Sequence, residues 1–302
     1  MTSANSAQLK KFHKDGYLIL ESFFSPEDLK PVETWISSLV DDLAGSLFQR
    51  GLIQNLYEDA SFETRLIKIE QEFPDASILI HQQGGFGHEL LNLWTCEKLN
   101  NFVKTFFTTQ PALHPVWNIR AKTPENALAT VPWHQDAAYL SGESDNVFQL
   151  SAWIPLVDVS RHHGPLCFVS GYATDAPMHS HELENKSGNP KSWYLKIPSH
   201  ALPKGNLKRC IVSKGSLILF HQKIPHCCEE NFSDQVRWSL DLRWQSGELP
   251  NGLDAVKPCL PCTKIPMDIN DPNVSHWAKG ARLSESRTAT TDIDGPWMER
   301  WR

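Results

Sequence analysis

The segment Trp133-His134-Gln135-Asp136 sets an imidazole and a carboxylate two positions apart. In extended backbone, residues two apart project from one face, so His134 and Asp136 offer a nitrogen and an oxygen to a common point. Ninety-two residues after His134, Ile224-Pro225-His226 follows the apolar run Gly215 to Phe220 and supplies a third donor. Two histidines and one carboxylate on one face of a metal leave three positions open, the arrangement used by non-haem Fe(II) oxygenases. Open positions are what a co-substrate and O2 require. Alone, a His-x-Asp pair is weak evidence and reads better as a surface pair. The same donors would also serve a zinc hydrolase that needs no organic co-substrate. His221, near the end of the same apolar run, competes with His226 for the third place. His162-His163 and His179-x-His181 read as solvated loop residues.

The stretch Gln235 to Trp244 adds a second kind of group. One face carries Arg237, Ser239, Asp241 and Arg243, and the other carries Val236, Trp238, Leu240, Leu242 and Trp244. The apolar face must be core, while alternation leaves the polar face open between solvent and a cavity lining. Arg237 lies eleven residues beyond His226, a distance that suits a guanidinium reaching a carboxylate held on the metal. Asn118, Arg120 and Lys122 share a face of the strand before His134, again exposed or inward.

The rest of the chain must position these residues. With 302 residues, 40% hydrophobic and 21% charged, it can bury a sizeable core, and disorder is excluded for most of it. A net charge of −6 without a basic block argues against a nucleic-acid surface. No apolar run reaches a membrane span, and the start lacks the apolar stretch of a secretory signal, so a cytoplasmic protein is expected. Seven scattered cysteines read as reduced thiols, and Cys259-x-x-Cys262 has no second pair to make a zinc or redox site. Ser25-Pro26-Glu27-Asp28 starts a helix predicted to end near Gly45, and a second is predicted over 99–107. Strand-like runs follow at 113–122, 147–157, 165–169, 208–220 and 235–244, without long helices between them, which predicts an antiparallel barrel or jelly roll. One domain is therefore expected over 1–302: a mainly helical part to 110, a β core over 111–245, a lid-like insertion at 171–206, and a tail from 246 that packs back through Trp277, Trp297 and Trp301.

Together, His134-Gln135-Asp136 after a Trp, His226, and Arg237 resemble the phytanoyl-CoA dioxygenase family of Fe(II)- and 2-oxoglutarate-dependent oxygenases. Phe12 to Leu20 with Phe24 to Glu27, Lys122-Thr123-Pro124, Trp153 to Leu156 and Gly164-Pro165-Leu166 resemble the family as well, over about residues 8–245. The resemblance implies a mainly β, cupin-like double-stranded β-helix with N-terminal helices buttressing one sheet. It implies that His134, Asp136 and His226 ligate Fe(II) and that Arg237 pairs with the distal carboxylate of 2-oxoglutarate. Trp153, Lys122 and Asn118 would lie near that co-substrate. Cys228 stands where the family commonly has Ser, a better hydrogen-bond donor. Arg120 and Tyr139, with Trp193 in the lid and His81 at the pocket mouth, are the candidates for touching the prime substrate.

These residues predict oxidation of an aliphatic C–H with release of succinate and CO2. Hydroxylation is the first expectation; desaturation, epoxidation or ring closure in natural-product biosynthesis, or a non-catalytic jelly-roll binding protein, are the alternatives. The expected partner is a small metabolite, anionic if Arg120 faces inward, with the protein a monomer or homodimer. An acyl-CoA is a poor fit, because its phosphates want a basic entrance and the chain does not end in a Ser-Lys-Leu address.

Overall fold

The computed structural model describes residues 3–74, 76–82, 87–184, 194–253, 258–262 and 265–279. Helix α1 (Ser6–Asp15) begins at Asn5, whose side chain accepts from the Gln8 amide, and ends at Gly16. Gly16 adopts a φ of +87°, and a Cβ there would meet the Tyr172 carbonyl at 2.3 Å, so only glycine turns the chain into β1 (Tyr17–Leu20). Ser25 and Asp28 form a capping box with Pro26 in the first turn of α2 (Pro26–Gln49). This helix runs through Gly45 instead of ending there. Leu47, 1% exposed, packs into the core beyond it, and that burial outweighs the glycine penalty of about 1 kcal/mol. Four short helices complete the layer: α3 (Arg65–Glu72), α4 (Ala76–Gln82), α5 (His88–Trp94) and α6 (Glu97–Lys104).

The strands are β2 (Pro111–Leu113), β3 (Asn118–Lys122), β4 (Gln149–Pro155), β5 (Leu166–Ser170), β6 (Glu182–Leu183), β7 (Leu195–Lys196), β8 (Asn206–Arg209), β9 (Leu217–His221), β10 (His226–Cys228), β11 (Arg237–Ser246) and β12 (Leu260–Pro261), with α7 (Pro272–Lys279) after them. Two predicted runs each divide into two strands. Pro115, which has no N–H to give, separates β2 from β3, although both pair with β11. At 208–220, Gly215 with φ +81° turns the chain out of one sheet and into the other.

The larger sheet runs β1-β9-β4-β11-β2-β12 with β3 also on β11, and a three-stranded sheet runs β10-β5-β8. All their pairings are antiparallel. Leu150, Ala152, Ile154, Trp238, Leu240, Leu242 and Trp244 form the outer face of the larger sheet and share one core with the helices. The inner faces of the two sheets meet through Tyr17, Trp153, Phe168, Ile218 and Phe220, with Tyr17 stacked on Phe168 at 4.9 Å. The result is a jelly roll whose interior is filled at one end and polar at the other. Trp277 packs against Trp94 at 6.0 Å; Trp297 and Trp301 lie outside the described residues. Among the described residues, no helix is long and apolar enough to cross a membrane.

Alternation could not say which way the polar face of β11 points, and the fold answers it. Arg237, Ser239 and Arg243 are 2%, 0% and 6% exposed. They line the interior, because the opposite face already carries Trp238, Leu240, Leu242 and Trp244 against the helices.

Candidate metal centre

His134 lies in an isolated antiparallel bridge to His226. Each histidine amide donates to the other's carbonyl at 2.9 Å, so the backbone sets the distance between the two rings. Asp136 opens a short turn, Asp136–Tyr139. Its Oδ1 is 3.5 Å from Nε2 of His134 and 3.7 Å from Nε2 of His226. All three side chains are buried, and among the described residues no other three His, Cys, Asp or Glu gather in this way.

The partners behind these atoms fix their protonation. Nδ1 of His134 donates to the Pro132 carbonyl at 2.8 Å and Nδ1 of His226 to the Ile224 carbonyl at 2.9 Å. A carbonyl only accepts, so each Nδ1 carries the hydrogen and each Nε2 a lone pair. Burial, helped by His134, pushes the His226 pKa down to about 3, which keeps that ring neutral. Burial alone would raise the Asp136 pKa, but Arg243, His134 and His226 hold it well below the usual carboxylate range. Three lone pairs therefore converge with no hydrogen among them. That donor set is costly to bury without a cation and fits a divalent metal.

Arg243 fixes the carboxylate. Its Nη2 and Nε donate to Asp136 Oδ2, and Ser151 Oγ donates to the same oxygen at 3.2 Å. The alternation had displayed Arg243 on the polar face but gave it no role. The inward orientation of β11 was the missing signal.

A cavity of about 570 Å³, open mouth included, joins the three donor residues to Arg237, Lys122, Trp153, Cys228, Arg120 and Asp241. Arg237 lies 5.2 Å over the Trp153 ring and donates from Nη1 to Ser239 Oγ at 3.2 Å. Its Nε has no hydrogen-bond partner among the described residues. Burial lowers the Arg237 pKa from its ordinary value, and no ion pair engages it among the described residues. A buried guanidinium in that state is costly until an anion arrives.

A family model described as phytanoyl-CoA dioxygenase (PhyH) matches residues 12–239. The chain belongs to the phytanoyl-CoA dioxygenase family. Its members are 2-oxoglutarate-dependent non-haem iron oxygenases, so the chain is an enzyme of that class. Phytanoyl-CoA dioxygenase domain-containing protein 1 of Mus musculus is 26% identical over 274 residues, covering 78% of this chain and 88% of the relative. Phytanoyl-CoA dioxygenase 1 of Oryza sativa subsp. japonica is 26% identical over 260 residues, covering 80% and 88%. Among solved structures, the non-heme alpha ketoglutarate dependent carbocyclase SnoK from nogalamycin biosynthesis superposes with a TM-score of 0.53 at 18% identity, covering 85% of this chain and 93% of its own. EvdO2 from Micromonospora carbonacea var. aurantiaca, complexed with 2-oxoglutarate, gives 0.51 at 16%, covering 81% and 91%. These likenesses establish the jelly-roll fold.

Within this phytanoyl-CoA dioxygenase scaffold the remaining candidates divide. Lys122 faces the cavity, but its Nζ donates to the Glu229 carbonyl and lies 3.5 Å from that of Cys228. Asn118 donates to Asp241 at 3.4 Å. Arg120 does face inward, yet its Nε is 2.7 Å from Asp241 Oδ2, so the charge that would attract an anionic substrate is compensated. Tyr139 does not line the cavity: its hydroxyl accepts from the Leu195 amide at 2.8 Å and its ring edges onto His134 at 5.7 Å. It anchors β7 to the ligand-bearing turn. Trp193 lies outside the described residues, as does the side chain of His81 in α4; Tyr194, beside Trp193, lines the cavity instead.

His221 is not part of the cluster of His134, Asp136 and His226. It meets the Tyr172 carbonyl through Nε2 and accepts the Lys223 amide through Nδ1. His181, read as solvated from its loop setting, is 6% exposed and accepts the Gln135 amide through Nε2 at 3.1 Å. The Gln135 side chain binds the Pro177 carbonyl, the His179 amide and the Lys223 carbonyl. The residue between His134 and Asp136 thus ties the segment at 177–179 to the loop that precedes His226.

Proposed function

We propose that this family member is an Fe(II)- and 2-oxoglutarate-dependent dioxygenase that hydroxylates an aliphatic C–H of a small metabolite. The observation that carries the reading is the buried, ion-pair-free Arg237 guanidinium on the wall of the same cavity as the three converging lone pairs. Zinc-dependent hydrolysis does not itself require such a group, whereas a dicarboxylate co-substrate does.

In this reading His134, Asp136 and His226 hold the ferrous ion, and Arg243 with Ser151 keeps Asp136 from rotating. Arg237 takes the C5 carboxylate of 2-oxoglutarate, with the Trp153 face alongside. Bound there, iron and 2-oxoglutarate supply the oxygen chemistry, converting 2-oxoglutarate and O2 to succinate and CO2 as a substrate C–H is oxidised. Leu166 and Phe220 on the cavity wall exclude water from the reacting face. Tyr194 lines the same cavity, and the bond from the adjacent Leu195 amide to the Tyr139 hydroxyl holds its backbone there.

Purified protein loaded anaerobically with Fe(II) is expected to develop a visible charge-transfer band on adding 2-oxoglutarate, and to release succinate and CO2 on admitting O2. Metal-dependent turnover that persists without 2-oxoglutarate would sink the reading in favour of hydrolysis.

A further inference from the structure

The cavity wall carries three guanidinium groups, from Arg120, Arg237 and Arg243, and two carboxylates, from Asp136 and Asp241. Arg243 is committed to Asp136 at 2.9 Å. Arg120 is committed to Asp241 at 2.7 Å, and the Tyr194 hydroxyl bonds it as well. Lys122, a further cation of the wall, is turned to the carbonyls of Cys228 and Glu229. Arg237 is the arginine left without a carboxylate.

The sheet register makes this pairing consequential. Arg120 stands opposite Ser239 on β11, two residues from Arg237, so the two arginines are diagonal neighbours, with Cα atoms about 7–8 Å apart. Freed from Asp241, Arg120 would offer a dicarboxylate a second seat within reach of the first. An anion drawn there would compete with the prime substrate for space or turn the co-substrate round. Neutralised, Arg120 and Asp241 instead present a donor and an acceptor side by side with no net charge.

We infer that Asp241 is a specificity determinant of this cavity: it cancels Arg120, so that Arg237 is the one seat for a carboxylate and the prime substrate is an electrically neutral, hydrogen-bonding molecule. Asp241 is a positioning residue here, acting through Arg120. The identity of the co-substrate rests on the function proposed above; the charge argument does not.

Succinate, a dicarboxylate without the chelating 2-oxo group, tests this on the full-length metal-free chain by titration calorimetry. The wild type is expected to bind one succinate, lost in Arg237→Met. Asp241→Asn is expected to bind two, returning to one in the Asp241→Asn/Arg120→Met double variant. With Fe(II) present, Asp241→Asn is expected to show inhibition by excess 2-oxoglutarate that the wild type lacks. Two succinates on the wild type would overturn the inference with no variant needed, and so would a single one on Asp241→Asn; Asp241→Ser serves the same comparison if the Asn variant does not fold. A wild type that binds none, with Asp241→Asn binding one that needs Arg120, would refute the co-substrate reading of Arg237 and leave the role of Asp241 standing.

Discussion

Arg243 gives two hydrogen bonds to one oxygen of Asp136, at 2.9 and 3.2 Å, and leaves the other oxygen facing His134 and His226. Arg243→Met removes that restraint, and metal affinity is expected to fall about 10- to 100-fold, as for other groups that orient a ligand from behind. Mn(II) titration followed by electron paramagnetic resonance reads this directly. Arg243→Lys should recover only part of the loss, because an ammonium does not reproduce the planar, two-armed contact.

His134→Ala, Asp136→Ala and His226→Ala are each expected to abolish metal-dependent turnover. His221→Ala should keep the ion, since that ring is engaged by Tyr172 and Lys223 instead. Metal content after dialysis separates the two cases. Retention in His226→Ala with loss in His221→Ala would reverse the assignment of the third ligand.

Arg237 couples function against stability. Arg237→Met should raise the KM for 2-oxoglutarate about 10- to 100-fold, the worth of a charge-assisted contact of about 1.5–3 kcal/mol. The same variant should melt at a higher temperature than the wild type when both are metal-free, because a buried guanidinium with an unpartnered Nε is exchanged for an apolar side chain. Differential scanning calorimetry in the absence of metal checks the second effect.

Acid should destabilise the metal-free protein before ordinary carboxylates protonate. Burial lowers the pKa of both His114 and His221 to about 4. The unfolded chain takes up these protons near pH 6.5 and the native chain only near 4, so stability is full above pH 6.5 and falls as pH drops towards 4. The cost is about 2 kcal/mol per histidine at pH 5. Urea midpoints at pH 7.5 and 5 measure it, and His114→Gln or His221→Gln should flatten the slope.

His134, Asp136 and His226 could be picked out as a donor set because their chemistry is local: two donors two residues apart need only an extended backbone, and His226 follows closely on an apolar strand. Arg237 was singled out by its distance from His226, and the structure places it on the same cavity wall. The partners Arg243 and Asp241 were visible as alternating residues but had no readable role, since alternation does not distinguish an inward polar face from an outward one. Tyr139 and His181 show the complementary limit. Whether an aromatic or imidazole lines a cavity or grips a neighbouring loop depends on where residues 172–184 and 194–197 meet the turn after His134, which no local pattern encodes. Gly45 failed as a stop signal for a related reason, because the burial of Leu47 is a tertiary event.

The reciprocal amide-to-carbonyl hydrogen bonds of His134 and His226 give the centre a scaffold that does not depend on its cargo. Strip out the iron and the two rings stay where the peptide ladder puts them, waiting at the same spacing. Loading the metal-free protein with Fe(II) should therefore require no refolding of this segment.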